Sequence, residues 1–160
     1  MAGTDTEAKD TAGVIVRPPL LYLAGLAAGL GLSWLWPVGL GLAPLARYLA
    51  GGALIALALG VMTDGMLRFR RAGTEVHPTR PTTALVTTGV FALSRNPLYC
   101  GLSAILAGLA LVLDSAWTLG MLVPVLLVLR YGVIAREEAY LERLFGEDYR
   151  RYKARVRRWL

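Results

Sequence analysis

Long apolar stretches separated by short polar ones set the pattern of this chain. No charged residue falls between Arg17 and Arg47, and a second apolar run from about Tyr48 to Leu67 follows the short connection Ala43 to Arg47. Residues 97–113 are again apolar, Asp114 and Ser115 form a polar turn, and residues 116–135 are apolar except for Arg130. Because roughly 20 apolar residues cross a ~30 Å hydrocarbon core, these runs predict spans at about 20–42, 48–67, 97–113 and 116–135, arranged as two hairpins. The first run is expected to be a span and not a signal peptide, whose apolar region is shorter and precedes a soluble chain. Residues 1–13 are small, polar and mixed in charge, and the tail through residue 17 is expected to be disordered. Residues 18–160 then form a single membrane domain.

After Ala135 the period changes. Leu141, Leu144, Phe145, Tyr149, Tyr152, Val156 and Trp159 recur three or four apart, with basic residues between them. This pattern predicts a basic amphipathic helix over 136–159 lying in the headgroup layer. The fold class expected is therefore all-α integral membrane, with about four transmembrane helices and a C-terminal interfacial helix. Arg68, Arg70, Arg71, Arg80, Arg95 and the C-terminal segment carry nearly all the positive charge, against Arg47 alone in the opposite loops. The positive-inside rule then places both termini in the cytoplasm, across an inner or plasma membrane.

Composition narrows the chemistry further. Hydrophobic residues make up 56% of the 160, too much in blocks this long for a soluble domain. A lone cysteine, Cys100, rules out an intrachain disulfide. A lone histidine, His77, argues against a histidine-built metal site. The expected partner is the bilayer, not nucleic acid.

Polar residues at the membrane boundary carry the remaining signal. Residues 68–97, with five arginines and three prolines, are too polar for lipid, and so long a connection is usually functional. In Ser94-Arg95-Asn96-Pro97, asparagine is a good helix cap and proline suits the first helical position. Arg95 is not needed for capping, and a cation there opposes the helix dipole unless an anion is close. Glu137 and Glu138 follow the last apolar run. Arg130, near the end of that run, is costly in lipid unless it snorkels or pairs, and the two glutamates seven and eight positions on fall on roughly its face. Gly25 and Gly29 form a GxxxG suited to close helix packing, and a monomer and a homodimer packed through them are both compatible with it. Asp64 suits a boundary cap or a cavity wall. His77, beside Pro78, reads as a loop residue.

The order of these pieces resembles a known family. GTEVHPTRPTTALVTTGVFALSRNPLYCG, two apolar spans and REEAYLERLFGEDYRRYKARVRRW are similar to the isoprenylcysteine carboxyl methyltransferases and their bacterial relatives, grouped with phospholipid methyltransferases. Arg95, Asn96, Pro97, Tyr99, Gly101, Glu137, Glu138, Leu141, Phe145, Gly146, Tyr149 and Tyr152 match in order. The resemblance implies S-adenosylmethionine as methyl donor, with S-adenosylhomocysteine as product, and transfer to a lipidic or prenylated carboxylate, thiol or amine. It implies cofactor contacts from Arg95, Asn96, Pro97, Tyr99, Gly101, Glu137, Glu138 and Tyr152, and catalytic parts for Arg95, Glu138 and Arg130. By charge complementarity Arg95 suits the methionine carboxylate and Glu137 or Glu138 the ammonium or ribose. Asn96 stands where the eukaryotic enzymes have histidine, and the tail after Val156 lacks their proline.

Two other readings compete. A transporter needs an ionisable residue deep in the bundle, and the first and third apolar runs hold no carboxylate. A membrane scaffold with a lipid-binding basic helix explains the arginines but not the ordered motif.

Overall fold

Proline marks where three of the helices begin. The computed structural model describes residues 13–74 and 82–160. Within them the chain forms α1 (Pro18–Leu35), α2 (Pro44–Arg71), a 3₁₀ turn (Gly89–Ala92), α3 (Pro97–Val112), α4 (Ala116–Gly120), α5 (Leu122–Val128), a π-helical turn (Leu129–Ile134) and α6 (Ala135–Arg155). No strand occurs among the described residues. Pro18, Pro44 and Pro97 each open a helix at a position whose N–H would have no intrahelical partner. The tail residues 1–12 and the loop residues 75–81, with His77 and Arg80, lie outside the described residues.

Three helical runs are long and apolar enough to cross a membrane: Pro18–Leu35, Pro44–Arg71 and Ala116–Arg155. The third expected span, α3, has 16 residues, a rise of about 24 Å that falls short of the ~30 Å core. The four expected spans thus appear as three long runs and one shorter apolar helix.

Several boundaries differ from those expected. The first helix ends at Leu35 and not near residue 42, since Pro37 disfavours helical geometry at Trp36, which adopts φ −135°. The non-helical stretch after it is fixed by polar contacts. Asp114 Oδ1 accepts from Leu40 N at 2.9 Å, Asp114 Oδ2 pairs with Arg47 at 2.8 Å, and the Trp117 indole donates to the Trp36 carbonyl at 2.8 Å. The C-terminal segment differs more. Helical turns run through Arg136 without a break, so no separate helix starts there; the break falls at Gly146, whose φ of 52° only glycine adopts readily. Tyr149 and Tyr152, expected to dip into the headgroups, are 2% and 3% exposed and packed inside the protein.

The chain forms two compact units that interleave in sequence. One, here the apolar unit, comprises Arg17–Met62 and Leu98–Leu129; the other, the polar unit, comprises Met1–Val16, Thr63–Pro97 and Arg130–Leu160. Of the 17 basic and 11 acidic residues, only Arg17, Arg47 and Asp114 belong to the apolar unit. Its outward side chains include Leu23, Trp34, Leu49, Leu57, Leu59 and Val123, all more than half exposed. So much apolar surface is suited to lipid and not to water.

Small residues let the helices of the apolar unit approach closely. A Cβ at Gly29 would lie 2.5 Å from Thr118 Cα, and one at Gly25 would lie 2.6 Å from Val125 Cγ2. The GxxxG glycines are therefore used within the chain, against α4 and α5. Gly51 and Gly108 meet similarly where α2 crosses α3: a Cβ on Gly108 would lie 2.6 Å from Ile55 Cγ1 and 2.8 Å from the Gly51 carbonyl oxygen. Ser33, Ser115 and Thr118 form a hydroxyl chain (2.6 and 2.7 Å) that satisfies polar groups inside this unit. Gly108→Val is expected to cost about 1–3 kcal/mol by overpacking. Gly60→Val, where nothing lies within 4 Å, is expected to cost less than about 1 kcal/mol. Thermal unfolding of the detergent-purified proteins checks this, and equal losses would refute the packing role.

Candidate functional site

All the contacts that hold the site lie in the polar unit. Its frame is the 3₁₀ turn, entered at Gly89, whose φ of +61° again favours glycine. Asp64 Oδ2, on α2, accepts from the Val90 backbone N–H at 3.2 Å and from Arg68 Nε at 2.6 Å. Asp64 is thus a brace between helix and turn. On the other side the Tyr152 hydroxyl donates to the Phe91 carbonyl at 2.7 Å, and Phe91 packs edge-on against Phe69 with centroids 4.9 Å apart. The Ser94 hydroxyl then accepts from Asn96 N at 3.1 Å, and Pro97 begins α3.

This frame directs Arg95 inward, where its side chain is 9% exposed. Glu138, on α6, is buried to the same degree and supplies the anion that a cation at a helix start requires. Arg95 Nη1 lies 3.1 Å from Glu138 Oε1. That separation makes an ion pair, but the N–H bonds of Nη1 are not aimed at the oxygen. Arg95 Nε and Nη1 are consequently buried donors without a hydrogen-bond acceptor among the described residues.

Glu138 is engaged from its other side by Arg158. Nε donates to Oε1 at 3.0 Å and Nη2 to Oε2 at 2.6 Å, a two-pronged pairing of planar fork and carboxylate. The hydrogen bond to Glu138 holds the Arg158 guanidinium pKa above its ordinary value. Arg158 can reach back because the chain leaves α6 at Val156 in extended geometry (φ −117°, ψ 131°). The tail is tied down as it returns. Arg95 N donates to the Arg157 carbonyl at 2.9 Å, and Asn96 Nδ2 donates to the Arg158 carbonyl at 2.9 Å. Two guanidiniums against one carboxylate leave the site with a surplus positive charge and unmet donors on Arg95. An added carboxylate would satisfy both.

Of the residues expected at the site, Arg95, Asn96, Pro97, Glu138 and Tyr152 fall in the polar unit around this contact. Glu137 is half-buried while Glu138 is 7% exposed, which separates the two glutamates. Tyr99 and Gly101 belong to the apolar unit. The Tyr99 carbonyl accepts from the hydroxyls of Tyr22 (3.2 Å) and Ser103 (2.8 Å). Gly101 admits Met62, whose Cγ would lie 2.5 Å from an added Cβ, so its smallness serves packing. Arg130 is exposed, over the Tyr131 ring at 5.4 Å. Glu138, eight positions on, is buried where Arg130 is exposed.

Arg158 was missed by sequence reasoning, as was the use of the Arg157 and Arg158 carbonyls. The available signal was the excess of arginine after the last predicted helical turn, where a helix end would need no more cations. Tyr149, also absent from the expected site, is packed beside Arg95 and Glu138.

Lipid-suited helices in one unit and a buried guanidinium–carboxylate contact in the other fit an integral membrane protein. The chain belongs to the phospholipid methyltransferase family, whose description matches residues 46–148. A Haemophilus influenzae protein described only as uncharacterized is 48% identical over 65 residues, 39% of this chain and the whole of that relative. No solved structure matches. Membership makes methyl transfer at a membrane the class of reaction.

Removing the anion tests the arrangement. Glu138→Ala would leave two guanidiniums facing each other with little water and is expected to cost about 3 kcal/mol. Glu137→Ala is expected to cost about 1 kcal/mol or less. Unfolding midpoints of the two variants decide the matter, and equal effects would contradict a central role for Glu138.

Proposed function

We propose that this protein is an S-adenosylmethionine-dependent methyltransferase acting on a lipidic or prenylated acceptor at the cytoplasmic face of the membrane. The observation that carries the reading is Arg95: a buried, oriented guanidinium with two unmet donors, in a site whose charge is one anion short. The methionine carboxylate of the cofactor fits that deficit. When bound, S-adenosylmethionine supplies an electrophilic methyl group on a sulfonium, open to in-line displacement.

The chain's own residues do the positioning. Glu138, itself gripped by the guanidinium fork of Arg158, holds Arg95 in one orientation, so little is lost in ordering it on binding. Tyr149, Tyr152 and Phe91 exclude water from around it, which strengthens each charge interaction there. Glu138 has both oxygens engaged by guanidinium groups and serves to orient them. An acceptor that arrives ionised, a carboxylate or thiolate, suits this arrangement best, since transfer to it requires only alignment and water exclusion. An amine would have to lose its proton to another group. The arginine distribution favours the cytoplasmic face.

Family membership and the buried centre both weigh against a purely structural scaffold, for which an unsatisfied buried guanidinium would be a cost without a return. The deciding experiment is calorimetric titration of S-adenosylhomocysteine into the protein in lipid nanodiscs, beside Arg95→Lys. Lysine keeps the charge and loses the fork, and a loss of about tenfold or more in affinity is expected. Transfer of labelled methyl from S-adenosylmethionine to a lipid extract should fall in parallel. Folded wild-type protein that binds no S-adenosylhomocysteine would sink the reading.

A further inference from the structure

A second basic site lies in the polar unit, apart from the Arg95 contact. We propose that the cleft between the end of α2 and the segment entering the 3₁₀ turn binds a phosphate ester, the headgroup phosphate of a membrane lipid. The cleft has a volume of about 290 Å³ and is lined by Arg68, Arg71, Leu85, Val86, Thr87 and Thr88.

Arg68 is set in place before any ligand arrives. Its Nε donates to Asp64 Oδ2 at 2.6 Å, and its Nη1 donates to Thr88 Oγ1 at 3.1 Å. Its guanidinium also lies against Gly89, where a Cβ would collide with it. A guanidinium fixed on three sides loses little freedom on binding, and its fork matches phosphate oxygens better than a lysine ammonium would. Asp64 balances the charge of Arg68, and exposed Arg71 adds a further positive charge on the lining. The Thr87 and Thr88 hydroxyls can donate to phosphate oxygens not met by arginine.

The lipid source follows from position and lining. Arg68, Arg70 and Arg71 close the last turn of α2, a helix long and apolar enough to cross the membrane. That is the level where headgroup phosphates lie and where basic clusters recognise them. The carbonyl end of a helix by itself repels an anion, so the three arginines are what reverse its sign. Leu85 and Val86 offer apolar surface that a glycerol backbone can cover and a free hydrated phosphate cannot use. This site stands whether or not Arg95 takes part in methyl transfer.

The test is binding of short-chain lipids to the full-length protein in a neutral detergent, followed by calorimetry. Dihexanoyl phosphatidylglycerol is expected to bind and dihexanoylglycerol, which lacks the phosphate, is not. Arg71→Gln should weaken the binding about tenfold. Arg150→Gln, on an exposed arginine paired with Glu147, should leave it within about twofold. Equal loss in the two variants would mean general surface charge, and no loss in Arg71→Gln would mean the wrong site; either overturns the proposal. Full displacement by inorganic phosphate at the same concentration would overturn the lipid source in favour of a free anion.

Discussion

Glu138 is the contact on which the polar unit depends. Burying the Glu138 carboxylate and the Arg95 guanidinium costs several kcal/mol each, so neither is stable there alone, and half-buried Arg158 completes the cluster. Together they join positions 95, 138 and 158, which lie in three separate stretches of the chain: the approach to α3, the first turn of α6 and the tail beyond it. Removing Glu138 leaves two guanidiniums without a counterpart, whereas removing either arginine leaves one ion pair behind. The carboxylate therefore does two things at once. It fixes where the C-terminal tail runs, and it fixes where Arg95 points.

The tail shows how this works in backbone terms. Arg157 and Arg158 do not extend α6; the chain turns out of the helix at Val156 and lays its carbonyls against Arg95 N and Asn96 Nδ2. The non-helical Gly146 within α6 redirects the helix before Tyr149 and Tyr152, which fill the interior and not the headgroup layer. An amphipathic stripe of aromatic residues has thus found protein to pack against. The same stripe in an isolated helix would have found lipid, and periodicity carries no information about which.

Local rules made much of this legible. The helix start at Pro97 followed from ring geometry and the need of Arg95 for an anion from the helix dipole, whereas the starts at Pro18 and Pro44 fall ahead of the spans that hydropathy predicts. The choice between Glu137 and Glu138 required burial, which adjacent identical side chains do not encode. The misplacements have physical causes as well. Pro37 ended the first helix inside an unbroken apolar run, because backbone sterics override hydropathy. Arg130 lies in a π-helical turn at Leu129–Ile134 that hydropathy does not announce, and it is exposed where Glu138 is buried. Arg158 was hidden among neighbouring arginines, for its value lies in the return of the tail, a long-range feature.

Division of charge between the two units explains how one short chain can hold both a lipid-suited body and an ionic centre. The apolar unit meets its few polar needs internally: Asp114 with Arg47, Ser33 with Ser115 and Thr118, Tyr22 with Ser103. Nearly all remaining charge collects in the polar unit, where the 3₁₀ turn receives it. That turn is held at Val90 by Asp64, at Phe91 by Tyr152 and just beyond, at Arg95, by the Arg157 carbonyl. Three anchors within six residues leave the backbone before α3 almost no freedom. Arg95 accordingly owes its orientation as much to hydrogen bonds on its backbone as to the carboxylate at its tip, and a site built this way is ordered before its ligand arrives.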